Sequence, residues 1–264
     1  MKKIILSAVV ASSLVMANEP DLKKDDLLVT HTEMGYIETQ GNTETQTFNL
    51  EVKAKKGWGR HIFEFTFDGQ YASDKEIETK NKYFVELEYD YEVTDRFAWD
   101  YLAGYKTDKF SAFDSQFYTG PGAKYKAIIS EKHNLSVEGN ILYSIDEIRD
   151  IEYDINGDVI NYPNPAGIAV NTVLLGESDD YAAYRAKAVY GWQMLENLKF
   201  DQELSYRSSF EDSNKYFIFS KTALSSKISD MFSAGLSYKV DYVNEAGEKE
   251  NTDTTITANL IIDY

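Results

Sequence analysis

The stretch YFVELEYDYEV, residues 83–93, decides the fold. Tyr83, Val85, Leu87, Tyr89, Tyr91 and Val93 alternate with Phe84, Glu86, Glu88, Asp90 and Glu92. A period of two sends successive side chains to opposite faces of a β-strand, so this ribbon has one apolar face and one face of carboxylates. Its length matches a strand that crosses the hydrocarbon of a bilayer at a tilt, which takes about 9–11 residues.

The same alternation runs outward in both directions. On the N-terminal side, Phe63, Phe65, Phe67, Gly69 and Tyr71 share a face, as do Phe48, Leu50, Val52 and Ala54 before them. On the C-terminal side the apolar rows are Phe97–Tyr105, Leu135–Tyr143, Tyr184–Trp192, Leu198–Tyr206, Phe232–Tyr242 and Ile256–Tyr264. Three ribbons are less regular. Residues 28–38 are apolar on both faces, and 215–227 carry Phe217 and Phe219 on the face otherwise read as internal. Residues 115–128 contain Gly120-Pro121-Gly122, where the missing N–H of proline predicts a β-bulge.

Twelve strands result, with ten or fourteen as the alternatives if a weak one is misread. Short turns near 57–59, 94–95, 130–131, 196–197 and 229–230 alternate with longer polar connections near 39–45, 73–81, 107–114, 147–180, 208–214 and 243–252. Transmembrane barrels show this asymmetry between their two ends. In hydrocarbon each unpaired backbone group costs several kcal/mol, and a closed sheet leaves none. The fold class read from the chain is all-β, a closed antiparallel transmembrane β-barrel over 28–264. A soluble barrel is the competing reading, but aromatic faces of twelve strands overfill a small core.

Aromatic residues fall in two rows. Tyr71, Tyr83, Tyr105, Tyr143, Tyr206, Tyr216 and Tyr242 lie at one end of the strands, and Tyr91, Trp99, Tyr125, Trp192, Phe200, Phe232 and Tyr264 at the other. Interfacial girdles have this form. They make membrane lipid and lipopolysaccharide the expected surroundings.

Composition narrows the compartment and the chemistry. Lys2 and Lys3, the apolar run Ile4–Val15 and the small residue Ala17 read as a secretory signal peptide over 1–17, followed by a short periplasmic tail over 18–27. Its removal leaves 25 basic and 44 acidic side chains, a net −19 against −17 for the whole chain. No later segment has about 18 consecutive apolar residues, as a membrane helix requires. The acidic balance and the lack of a basic patch argue against nucleic acid. There are no cysteines, which excludes disulfides and thiolate chemistry. The location read from these features is the bacterial outer membrane.

Two features resemble known systems. Ile256, Ala258, Leu260, Ile262 and the terminal Tyr264 share one face, which looks like the signal read by the outer-membrane barrel-assembly machinery. Gly35-Tyr36 with Gly41-Asn42-Thr43, and Gly120-Pro121-Gly122 with Tyr125, resemble a family of salt-induced outer-membrane proteins of unknown function. That resemblance covers about residues 28–264, implies a barrel, and brings no catalytic residue.

Catalytic and metal constellations are thin. His31, His61 and His133 are dispersed, no G-x-S-x-G occurs, and the acidic pairs Asp179-Asp180, Glu211-Asp212 and Asp146-Glu147 have no histidine nearby. Asp150, Asp154, Asn156, Gly157 and Asp158 have part of a calcium-loop pattern without its terminal bidentate Glu. The reading is of a protein that is not an enzyme and has no metal or cofactor.

The informative charges line the enclosed face. Glu64, Asp68, Glu86, Glu88, Asp90, Glu92 and Asp100 fall on three neighbouring strands and form an expected acidic wall. Lys53, Lys55, Arg185, Lys187, Lys199, Arg207 and Lys221 form an expected basic wall. Two such walls set up a field across the lumen. The function read from this pattern is a narrow porin-like channel for small polar solutes or cations. The alternatives are a structural or envelope-stress barrel closed by salt bridges and, more remotely, an outer-membrane hydrolase.

Overall fold

The computed structural model describes residues 28–39, 44–160, 164, 167–244, 246 and 250–263. The expected signal peptide (1–17), tail (18–27), the Gly41-Asn42-Thr43 motif and Tyr264 lie outside the described residues.

Twelve long strands form one closed barrel: β1 (Leu28–Thr39), β2 (Thr45–Trp58), β3 (His61–Asp74), β4 (Ile77–Glu92), β5 (Phe97–Asp108), β6 (Phe113–Ile129), β7 (His133–Ile148), β10 (Ser178–Leu195), β11 (Leu198–Ser209), β12 (Tyr216–Lys227), β13 (Phe232–Val243) and β14 (Thr252–Asp263). Each pairs antiparallel with its neighbours, and β14 pairs with β1 through His31↔Asp263 to Met34↔Leu260 to close the ring. β8 (Ile151–Tyr153) and β9 (Thr172–Leu174) form a separate two-stranded ribbon inside the β7–β10 connection. At three residues each they are too short to show a period in the sequence.

The faces are inverted relative to a soluble barrel. On β4, Leu87 is 52% exposed between Glu86 at 6% and Glu88 at 5%. Trp99, Ile141, Leu204, Leu236 and Ile256 are likewise exposed, while Asp100, Asn140, Arg185 and Lys239 are buried. Burying so many ionised groups costs several kcal/mol per ion unless each is paired and hydrogen-bonded, so the interior has to be an ion-pair network.

Part of the interior is apolar. Leu102, Tyr118, Leu142, Tyr181 and Ala183 cluster on the inner face of β5, β6, β7 and β10, with Phe84 against them. Gly104 makes room for this: a methyl there would sit 2.3 Å from the Tyr118 ring.

One connection and one strand differ from the sequence reading. The expected loop over 73–81 is a two-residue turn, Lys75-Glu76, with φ of 48° and 66°. Positive φ at both central residues is the pattern of a type I′ hairpin, usually marked by Asn-Gly, so the sequence carried no signal for it. Gly120-Pro121-Gly122 has no bulge: β5 pairs through it in unbroken register, Tyr101↔Pro121 included. The two glycines instead allow close backbone approach, since a methyl on Gly120 would lie 2.1 Å from the Ile141 carbonyl oxygen. The register shifts of β6 occur at Phe113/Ser115 and Lys126/Ile128. In the long 147–180 connection, the apolar Ile168, Val170, Val173, Leu174 and Leu175 are exposed.

Candidate functional site

The lumen is positioned by parity. Inner-facing positions on β2–β5 place Lys53, Lys55, Glu64, Asp68, Glu86, Glu88, Asp90, Glu92 and Asp100 inside, and β10–β12 do the same for Arg185, Lys187, Lys199, Arg207 and Lys221. All fourteen lie on the enclosed face, but not as two walls of opposite sign. Lys124 on β6 reaches over β5 to Glu88 and, at 2.9 Å, to Asp90 on β4. Lys126 meets Glu92 at 3.1 Å. On the other side Glu203 holds Lys187 at 3.5 Å and Lys53 at 3.6 Å, and Arg185 pairs with Glu138 and, at 2.7 Å, with Glu86. The expected acidic and basic walls are therefore interleaved. Uncompensated carboxylates on adjacent strands repel, and nearby cations relieve this.

Several pairs cross the lumen. Lys106 on β5 meets Asp241 on β13 at 3.0 Å, and Lys82 on β4 meets the same carboxylate at 2.8 Å. Lys239 on β13 binds Asp68 on β3 and, at 2.8 Å, Glu51 on β2. Lys221 on β12 binds Glu51 at 2.8 Å and Glu33 on β1 at 2.7 Å. The sequence reading missed Glu33, Glu51, Lys82, Lys106, Lys124, Glu138, Glu203, Lys239 and Asp241. Strict parity along their own strands would have found Lys124 beside Tyr125 and Lys239 beside Tyr238.

These crossbars divide the lumen into cavities. One, toward the end with the longer connections, is lined by Lys53, Lys82, Lys106, Arg185, Lys187, Arg207, Lys221 and Lys239 against Glu51, Glu64, Asp68, Glu86, Glu203 and Asp241, a basic excess. Two lie toward the short-turn end. The first is lined by Glu64, Glu88, Asp90, Glu92, Asp95, Glu138 and Glu203 against Lys53, Lys55, Arg96, Lys124, Lys126 and Lys187, an acidic excess. The second, lined by His31, also holds more acids than bases. All three share Lys53, Glu64 and Glu203. The excess of one sign therefore differs from cavity to cavity rather than from wall to wall.

The histidines divide by face. His31 is internal, its Nδ1 2.5 Å from Asp263 and its Nε2 3.2 Å from Glu33. His61 and His133 lie in the short-turn aromatic row, bonded to the hydroxyls of Tyr89 at 2.7 Å and Tyr190 at 2.8 Å. In the segment with part of a calcium-loop pattern, Asp154 accepts the backbone N–H groups of Asp158 and Asn156, and these hold its carboxyl below the usual aspartate range. That carboxylate is engaged by its own turn. Of the residues compared with an assembly signal, Ile256, Ala258 and Leu260 are exposed on the outer face of β14, Ile262 is half-buried there, and Tyr264 lies outside the described residues.

A closed twelve-stranded antiparallel barrel, apolar outside and ion-paired inside, resembles the fold of outer-membrane barrel proteins. Over residues 32–264 the chain belongs to the family described as protein of unknown function, DUF481. The fold is shared with an outer-membrane channel from Pseudomonas putida F1, at 8% identity and a TM-score of 0.51, covering 95% of this chain and 100% of that one. The NalP autotransporter translocator domain from Neisseria meningitidis matches at 9% identity and TM-score 0.46, over 92% of this chain and 90% of that one. The NanC porin matches at 13% and 0.42, over 89% and 97%. At such identities the likeness concerns the fold alone. A search of curated proteins gives no match.

Proposed function

We propose that this protein is a narrow outer-membrane channel for small polar solutes, without enzymatic activity. The observation that carries the reading is the set of cavities approaching from both ends of the barrel and sharing Lys53, Glu64 and Glu203. A solute path through these charges needs only the displacement of side chains, not of backbone. The acidic excess at the short-turn end supports a mild preference for cations there. The exposed Leu, Ile and Trp belt supports lipid surroundings, and the same reading includes cleavage of residues 1–17, contact with lipopolysaccharide, insertion by the barrel-assembly machinery and induction by salt.

Planar-bilayer recording of the refolded protein tests the channel. Steady single-channel steps are expected; an electrically silent, folded barrel overturns it. The crossbar Lys106–Asp241 favours one second reading, a structural barrel with a closed lumen, and the silent result selects it.

A further inference from the structure

Arg207 is a buried cation whose hydrogen-bonding capacity is mostly unspent. Its side chain is 8% exposed. The guanidinium carbon lies 4.4 Å from the centre of the Phe217 ring and 4.7 Å from that of the Tyr118 ring. It carries five N–H donors in a planar fork. Its contacts are weak: Nη1 donates to Ser144 Oγ at 3.4 Å, and Nη2 is 4.0 Å from Asp146 Oδ1. Asp146 is committed elsewhere, accepting from Tyr181 at 2.8 Å and Gln116 at 3.0 Å and pairing with Lys215 at 3.3 Å.

A second observation points the same way. Arg185 and Arg207 are direct cross-strand partners in the β10–β11 register. Like charges facing each other across a ladder are destabilising. Arg185 is compensated by Glu86 and Glu138, whereas among the described residues Arg207 has only the Asp146 carboxylate, at 4.0 Å. Both line the cavity toward the longer connections, where basic residues are in excess.

We propose that Arg207 is the docking point for the oxyanion of a small solute, a carboxylate or a phosphate, entering that cavity. Neither ring competes for the N–H fork as a carboxylate would, and that fork is what binds an oxyanion bidentately. The inference deepens the channel reading and rests on the cavity being open to solutes.

The test is ¹⁹F NMR of trifluoroacetate titrated with the barrel in detergent micelles. The expected result is line broadening that acetate and inorganic phosphate both reverse, the stronger competitor identifying the natural oxyanion class. Arg207→Gln should weaken binding about tenfold or more, the scale of one charge-assisted hydrogen bond. Arg207→Lys should weaken it less, and Lys132→Gln, on the exposed 130–132 turn, should leave it unchanged. Equal affinity in wild type and Arg207→Gln overturns the proposal. Should the Gln variant fail to fold, as judged by heat-modifiable gel mobility, unchanged affinity in Arg207→Lys overturns it. No current is measured, so Arg207-dependent binding by an electrically silent barrel would sink the channel reading and keep this one.

Discussion

Lys106 and Asp241 stand on strands six places apart in a ring of twelve, diametrically opposed, yet their charged groups meet at 3.0 Å. At this level two long side chains span the width of the barrel, between the cavities that approach from its two ends. Asp241 also takes Lys82, so one carboxylate anchors two crossbars.

Replacing Asp241 with Asn should release Lys106, while Lys82 stays held by Asp253 at 2.8 Å. Breaking a buried pair by removing one partner costs about 3 kcal/mol, so urea unfolding in lipid vesicles should shift by that order. Single-channel conductance should rise in the same variant. Unchanged conductance would mean that these crossbars do not set the bore.

Salt should open the lumen. Screening length falls from about 10 Å at 0.1 M to about 3 Å at 1 M, which weakens the part-exposed Lys106–Asp241 pair and leaves the buried pairs much less affected. Conductance is therefore expected to climb faster than the bulk conductivity of KCl over this range. A strictly proportional rise counts against mobile crossbars.

Ile141 is 64% exposed on the outer face of β7. In a lipid belt Ile141→Lys should cost about 2–4 kcal/mol. On a water-facing surface the same change stays within about 0.5 kcal/mol. Leu102, fully buried inside, should lose about 2–5 kcal/mol on conversion to Ala. Chemical denaturation of the three proteins decides between the two settings for Ile141.

The β1–β14 seam is checked by cross-linking. Thr32 and Ile262 are register partners, and the chain has no cysteine to interfere. Paired residues lie within disulfide reach, about 4.5–5.5 Å between Cα atoms. Thr32→Cys with Ile262→Cys should oxidise to an intramolecular bridge with altered gel mobility, and failure to form it would contradict closure at this seam.

The turn Lys75-Glu76 holds two side-chain-bearing residues at positive φ. That conformation costs roughly 1–2 kcal/mol per non-glycine residue. Replacement by Asn-Gly should raise unfolding stability by a similar amount, measured by urea titration.

The sequence was most legible where one rule acted alone. In residues 83–93 charge and hydrophobicity alternate cleanly, and the two faces of β4 followed directly. Reading failed where a residue answered to a partner distant in sequence. Pro121 sits in register because Gly120 and Gly122 let neighbouring strands close in. Lys124 faces Asp90 across an intervening strand, a relation no local window contains. The candidate site was legible as a set of inward charges, but not as pairs: which acid meets which base depends on strand tilt and on side chains long enough to reach across the barrel.

The exposed Leu87 between buried Glu86 and Glu88 has a bearing on when such a chain gains an apolar surface. Wound as a helix, the same segment would put Glu86 and Asp90 on one side and Glu88 and Glu92 on the opposite one. Charged residues near the centre of a membrane helix cost about 2.5–3.5 kcal/mol each. A ribbon of this kind has no continuous apolar surface when wound as a helix, and gains one only after its strands have joined into a ring.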